Sequence, residues 1–282
     1  MKVYKTNEIK NIALLGSKGS GKTTLAESML FECGVIKRRG TVDGGNTVSD
    51  YFPVEKEYGY SVFSTVFAAE FNNKKLNIID CPGADDFVGN AYTALGVTDI
   101  GVVAIDSEYG VEVGTENIVR TCNKLGKPVI FAMNKMDGEK VDYENVMEQL
   151  REHFGKKIVA IQYPINAGPG FNAIIDVLLM KKYEWGPDGG VPTISEIPAE
   201  ELDRAKELND ILKDAAAAND ESLMEKFFDD PASIQPDELI AAIRTATIQM
   251  KLVPMLCGSS FHNKGVQMLL LSLIHISEPT RH

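Results

Sequence analysis

A chain of 282 residues, 44% apolar and 24% charged, has the length and composition to bury the core of one large or two small globular domains. Its formal net charge of −11 excludes a general affinity for nucleic-acid backbones, so DNA is not expected as a partner; a local contact with RNA or with a basic protein stays open. Residues 1–6 do not read as a signal peptide, no apolar run approaches a membrane span, and Cys33, Cys81, Cys122 and Cys257 lack paired metal-ligand spacing, which together point to a reduced, cytoplasmic protein without a membrane partner.

The first periodic segment, residues 11–15, is an apolar run that stops at Gly16 and predicts a buried strand. A helix is predicted over residues 22–31, with Leu25, Met29 and Leu30 turned inward. Residues 60–71 alternate as a strand, residues 72–75 form a turn, and residues 76–80 return, which predicts an antiparallel hairpin at a sheet edge. Strands over 100–105, 128–133 and 158–165 follow, separated by helices over about 115–125 and 143–154. Alternating strands and helices predict an α/β fold with a doubly wound, mainly parallel sheet, whose ligands sit at the carboxyl ends of the strands.

The rhythm breaks at about residue 167. Gly168-Pro169-Gly170 and Gly186-Pro187-Asp188-Gly189-Gly190 bracket a different kind of segment. A helix is predicted to begin at Pro198, a favoured first helical residue, with Leu202, Ala205, Leu208 and Leu212 on one face. A second helix is predicted from Pro236 to about residue 250, and the sheet resumes over 252–256. The expected organisation is a main domain over 1–165 and 252–270, interrupted by an inserted α+β subdomain over 166–251.

Two loops carry the chemistry. Gly16-Ser17-Lys18-Gly19-Ser20-Gly21-Lys22-Thr23 fits Gly-x4-Gly-Lys-Thr between a predicted strand and a predicted helix. Its glycines let successive amide N–H groups point at phosphate oxygens, and the helix N-terminus adds positive field. Gly16, Gly19, Ser20, Gly21, Lys22, Thr23 and Thr24 are therefore expected to hold phosphates, with Lys22 between the β- and γ-phosphates and Thr23 on Mg²⁺. It resembles the loop of the P-loop NTPases. Asn134-Lys135-Met136-Asp137 follows a buried strand. Asp137 can accept from the ring N–H and the amino group of guanine, Lys135 can cover the ring, and Asn134 can tie this loop to the phosphate loop. Adenine lacks that donor pair and would leave a buried carboxylate unpaired. The pair of motifs points to GTP/GDP with Mg²⁺.

With these residues in place, the chain resembles the G domain of the translational GTPases, the elongation factor G family in particular. Cys257-Gly258-Ser259-Ser260-Phe261-His262-Asn263-Lys264-Gly265-Val266-Gln267 is similar to the fifth nucleotide motif of that family, with Gly258, Ser259 and Ser260 beside the base. Asp80-Cys81-Pro82-Gly83 corresponds to its Asp-x-Pro-Gly motif, which adds Asp80 and Gly83 to the nucleotide set. Phe171-Asn172-Ala173-Ile174-Ile175-Asp176 looks like the entry to its inserted subdomain. The resemblance implies a monomeric factor acting on the ribosome in GTP-driven translocation or in recycling.

The departures from the family fall on the hydrolytic chemistry. Ala84 stands where the resemblance implies a catalytic histidine, and Gly19 where it implies an aspartate. Lys18 and Tyr60 occupy the positions of an apolar gate. Tyr58-Gly59-Tyr60-Ser61 replaces Arg-Gly-Ile-Thr and keeps Ser61 as a hydroxyl for Mg²⁺. Base and phosphate readers are retained while the hydrolytic residues are not, so slow or absent hydrolysis is expected. A substitute base, with Asp85 and Asp86 as the candidates, and a ribosomal protection factor remain alternatives. Residues 271–282 do not continue the family pattern and resemble a translated sequencing adaptor, to be left out of fold reasoning.

Overall fold

The computed structural model describes residues 2–187 and 189–276. In chain order the main body runs β1 (Ile9–Leu15), α1 (Lys22–Glu32), α2 (Pro53–Tyr58), β2 (Thr65–Phe71), β3 (Lys74–Asp80), α3 (Val88–Val97), β4 (Ile100–Asp106), α4 (Val113–Lys124), β5 (Val129–Asn134), α5 (Tyr143–Phe154) and β6 (Ile158–Ala160). A second sheet follows with β7 (Gln162–Pro164), β8 (Ala173–Asp176), β9 (Lys181–Gly186) and β10 (Gly189–Ser195). Helices α6 (Ala199–Ala217), α7 (Glu221–Asp229) and α8 (Pro236–Ile248) precede β11 (Val253–Cys257) and α9 (Val266–Ile276).

The main sheet has the order β2-β3-β1-β4-β5-β11-β6. All its pairings are parallel except β2 with β3, the antiparallel edge hairpin. Every residue of β4 and β5 is buried, as helices on both faces of a parallel sheet require, whereas β2 alternates buried and exposed positions. The expected doubly wound α/β fold is therefore present. The second sheet, β10-β9-β8-β7, is wholly antiparallel. Helix α6 buries Ala205 and Leu212 of its expected face, with Leu202 and Leu208 half-buried.

Several expectations need correction. The strand expected over 60–71 begins only at Thr65, because Glu55 of α2 draws the amides of Val62 and Phe63 away from the ladder (3.0 and 3.1 Å). The strand expected over 158–165 is two strands. Its break is Ile161, whose N–H donates to Met255 O while its carbonyl accepts from Val177 N, so the chain passes from one sheet to the other there. The second sheet thus takes its first strand ahead of residue 166. Pro198 is the extended cap of α6, not its first helical residue. Residues 271–276, expected outside the fold, continue α9 and bury Leu273 and Ile276 against the core; residues 277–282 lie outside the described residues.

Candidate functional site

The site forms where β1, β3, β5 and β11 end. Leaving β1, the chain turns through the phosphate loop into α1, whose cap Gly21 has a φ of +88°. A Cβ at Gly21 would stand 2.3 Å from Asn134 Nδ2, and one at Gly83 would stand 2.2 Å from Lys22 Nζ. Gly21 is therefore demanded by its left-handed φ and by the base loop, and Gly83 by the phosphate-loop backbone, where a Cβ would stand 2.8 Å from Gly16 O and from Lys18 N.

Lys22 is buried inside this turn. Its ammonium donates to Gly16 O and Ser17 O, each at 2.9 Å, and burial holds its pKa below the usual lysine value. Beside it, Thr23 Oγ1 donates to Asp80 Oδ2 (2.8 Å) and lies 3.1 Å from Ser61 Oγ. Ser61 Oγ donates to Asp50 Oδ1 and Ser49 Oγ to Asp80 Oδ2, both at 2.7 Å. Three hydroxyls and two carboxylates thus converge on one point. Burial pushes the Asp80 carboxyl up to about 6, against the opposing pull of the Ser49 hydroxyl and the Lys22 charge, and raises Asp50 for the same reason. Asp80 Oδ1 and Asp50 Oδ2 are buried without a hydrogen-bond partner. Hard oxygen donors with uncompensated negative charge fit a Mg²⁺ ion that completes its shell with phosphate and water. Among the described residues no cluster of three or more His, Cys, Asp or Glu offers a different metal site.

The second loop is built around Asn134 at the end of β5. Its Nδ2 donates to Ser20 O (3.0 Å), and its Oδ1 accepts from Ser260 N (2.9 Å) and Ser260 Oγ (2.8 Å). One buried amide side chain therefore ties the phosphate loop to the loop after β11. Lys135, in the left-handed region at φ +62°, donates to the buried Asp106 carboxylate at 2.7 Å. Asp137 keeps Oδ1 buried and unpartnered, while Oδ2 lies 3.4 Å from His262 Nε2. Met136 N donates to Gly258 O (3.2 Å), and Ser259 and Lys264 exchange both backbone hydrogen bonds at 2.9 Å.

A cavity of about 740 Å³ joins the two loops, with Lys18, Gly19, Lys22, Thr23 and Thr24 on its wall together with Gly83, Ala84 and Lys135. Of the three residues at the departure from the Asp-x-Pro-Gly pattern, Ala84 lines the cavity, whereas Asp85 and Asp86 are exposed and absent from its lining. Lys18 Nζ sits 3.7 Å from the centroid of the Tyr60 ring.

A family profile described as "Elongation factor Tu GTP binding domain" matches residues 7–279. The chain belongs to that family. It is 35% identical over 274 residues to "Elongation factor G" of Petrotoga mobilis (strain DSM 10674 / SJ95), an alignment covering 97% of this chain and 39% of that protein. Its fold superimposes with a TM-score of 0.90 and 32% identity on the crystal structure of ttk003000868 from Thermus thermophilus, covering 97% of this chain and 41% of that one. The chain therefore spans about two-fifths of the length of these relatives.

Three residues outside any sequence motif also shape the site: Asp50 and Ser49, which sit in a loop without motif, and Arg39, whose Nη1 donates to Ser260 O and Phe261 O (2.8 Å each). Their roles depend on how the long loop between α1 and α2 folds back on α1. Buried Glu27 fixes that path by accepting from Gly40 N (2.8 Å) and Val48 N. Nothing in a single sequence marks that return.

Proposed function

We propose that this chain is the GTP-binding domain of an elongation-factor-G-like translation factor that acts on the ribosome, binds GTP with Mg²⁺, and hydrolyses it slowly. The amides of the phosphate loop and Lys22 bind the phosphates. Thr23 and Ser61 supply hydroxyls to Mg²⁺, with Asp50 and Asp80 behind them. Asp137 accepts from the guanine edge, and Asn134 holds base loop and phosphate loop in register. Bound Mg²⁺ supplies charge neutralisation of the phosphates.

The observation that carries the slow-hydrolysis reading is Ala84. It lines the cavity beside Gly83 with a methyl group, which can neither orient a water nor take a proton. The absence of Asp85 and Asp86 from that wall argues against their serving as substitutes. Loss of a general acid or base costs roughly 10²–10⁴ in rate. The experiment is single-turnover GTP hydrolysis with and without ribosomes, comparing this chain with Ala84→His. Binding without turnover, with partial rescue by histidine, is expected. Rapid ribosome-stimulated turnover with Ala84 would sink the slow-hydrolysis reading and leave an ordinary GTPase.

A further inference from the structure

Lys18, Lys22, Arg39 and Lys135 bring four cationic side chains to the cavity wall. Three of them donate to protein oxygens: Lys22 to loop carbonyls, Arg39 to the carbonyls of Ser260 and Phe261, and Lys135 to Asp106. Lys18 differs. It is exposed at the crest of the phosphate loop, and the contact its ammonium makes is with the face of Tyr60, 3.7 Å from the ring centroid. Lys18 is exposed and Tyr60 half-buried, and a cation resting on such a ring is held more weakly than one hydrogen-bonded to an anionic oxygen. A phosphate placed in this cavity would therefore outcompete the ring.

Tyr60 is well placed to transmit that competition. It lies between Gly59, the left-handed stop of α2 at φ +69°, and Ser61, a member of the Thr23–Asp50 hydroxyl network. The next two amides, of Val62 and Phe63, are gripped by Glu55. A shift of the Tyr60 ring has little slack to dissipate in before it reaches Ser61. On the phosphate side, the loop's backbone at Lys18 abuts Gly83: a Cβ there would meet Lys18 N at 2.8 Å. Lys18 thus stands next to the segment that carries Ala84, where no other side chain on that segment offers charge to the cavity.

We propose that Lys18 is the residue by which this chain distinguishes GTP from GDP. Its ammonium rests on Tyr60 when two phosphates are bound and transfers to the terminal phosphate when three are, freeing the Tyr60 ring while Ser61 stays beside Thr23. The inference rests on the guanine-nucleotide reading above and adds the group that senses the third phosphate.

The test is equilibrium binding of GDP and of β,γ-imido GTP, a non-hydrolysable analogue, to this chain and to its Lys18→Ile, Lys18→Arg and Tyr60→Leu variants. Lys18→Ile is expected to weaken the analogue by roughly 10- to 100-fold, the worth of a hydrogen bond to a charged group, while GDP affinity is unchanged. Lys18→Arg should keep most of the preference, and Tyr60→Leu, which removes the competing ring, should strengthen the analogue. Unchanged GDP binding also reports that the variant is folded. Equal losses for both nucleotides in Lys18→Ile, or no loss for either, would overturn the role of Lys18 alone. Failure of the unaltered chain to bind either nucleotide would overturn the nucleotide reading beneath it.

Discussion

Asp137, in the loop after β5, keeps a buried carboxylate oxygen, Oδ1, that no described group satisfies. In the proposed function, guanine supplies the missing donors. Asp137→Asn replaces an acceptor by a donor at that point, so guanine affinity is expected to fall by on the order of 10²-fold or more while xanthine nucleotides, which carry an oxygen in place of the amino group, gain. Competition binding of GDP against XDP checks this; an unchanged ratio would refute the assignment of Asp137. Asp176 carries a different kind of strain. Its carboxylate accepts from Leu178 N and Leu179 N (2.9 and 2.8 Å), yet burial pushes its pKa up to about 6. The unfolded chain releases that proton near pH 4. Between those values the native state binds more protons than the unfolded state, so this group's contribution to stability falls as pH rises from about 4 to 6 and stays low above. Asp176→Asn keeps an acceptor and removes the charge. It is expected to be more stable than the unaltered chain at pH 8 by roughly 1–3 kcal/mol, with the advantage vanishing towards pH 4, in urea unfolding at the two pH values. At this scale the motif residues were legible because a loop that cradles phosphate dictates its own sequence. Asp50, Ser49 and Arg39 were not, since each acts through a loop whose path is set by tertiary contacts such as those of Glu27.

Among the elements, those with a single partner environment read correctly. Strands β4 and β5 are continuous apolar runs, and α5 matches its expected span from Tyr143 to Phe154 because a polar cap, Asp142, and a terminal glycine, Gly155, bound an amphipathic stretch. Elements shared between environments were misread. Ile161 is apolar like its neighbours, and no local signal says that it hands the chain from one sheet to another. Helix α3 escaped notice because Gly89 and Gly96 interrupt its pattern; packing of Ala91, Ala94 and Leu95 outweighs their poor propensity. The last helix is the most informative case. Leu273 is fully buried in α9, which packs against α1 and α8. Leu273→Ala is expected to cost about 2–5 kcal/mol, the range for emptying a leucine site in a packed core. Chemical denaturation measures it, and a loss near zero would show that residues 271–276 contribute nothing to the fold.

At the scale of the whole molecule, the two sheets are not merely consecutive. Gly168 N donates to Met136 O (2.8 Å), inside the base loop, and buried Lys264 Nζ donates to Phe171 O (2.8 Å), at the entry to β8. The loop proposed to read the base is therefore stitched to the inserted sheet. The break in the strand–helix rhythm and the glycine–proline clusters suggest that a second unit exists, but not that its entrance is bolted to the nucleotide loops. Amide hydrogen exchange offers a direct check. Adding GDP is expected to slow exchange in β8 as well as in the base loop, and protection confined to the base loop would show that the stitch carries nothing.

That stitch gives the inserted sheet a hold on the base loop. Coupling between two sites is reciprocal in free energy. If holding the base steadies Gly168 and Phe171, then a body that grips the second sheet must lengthen or shorten the residence of the base by the same factor, without ever entering the cavity.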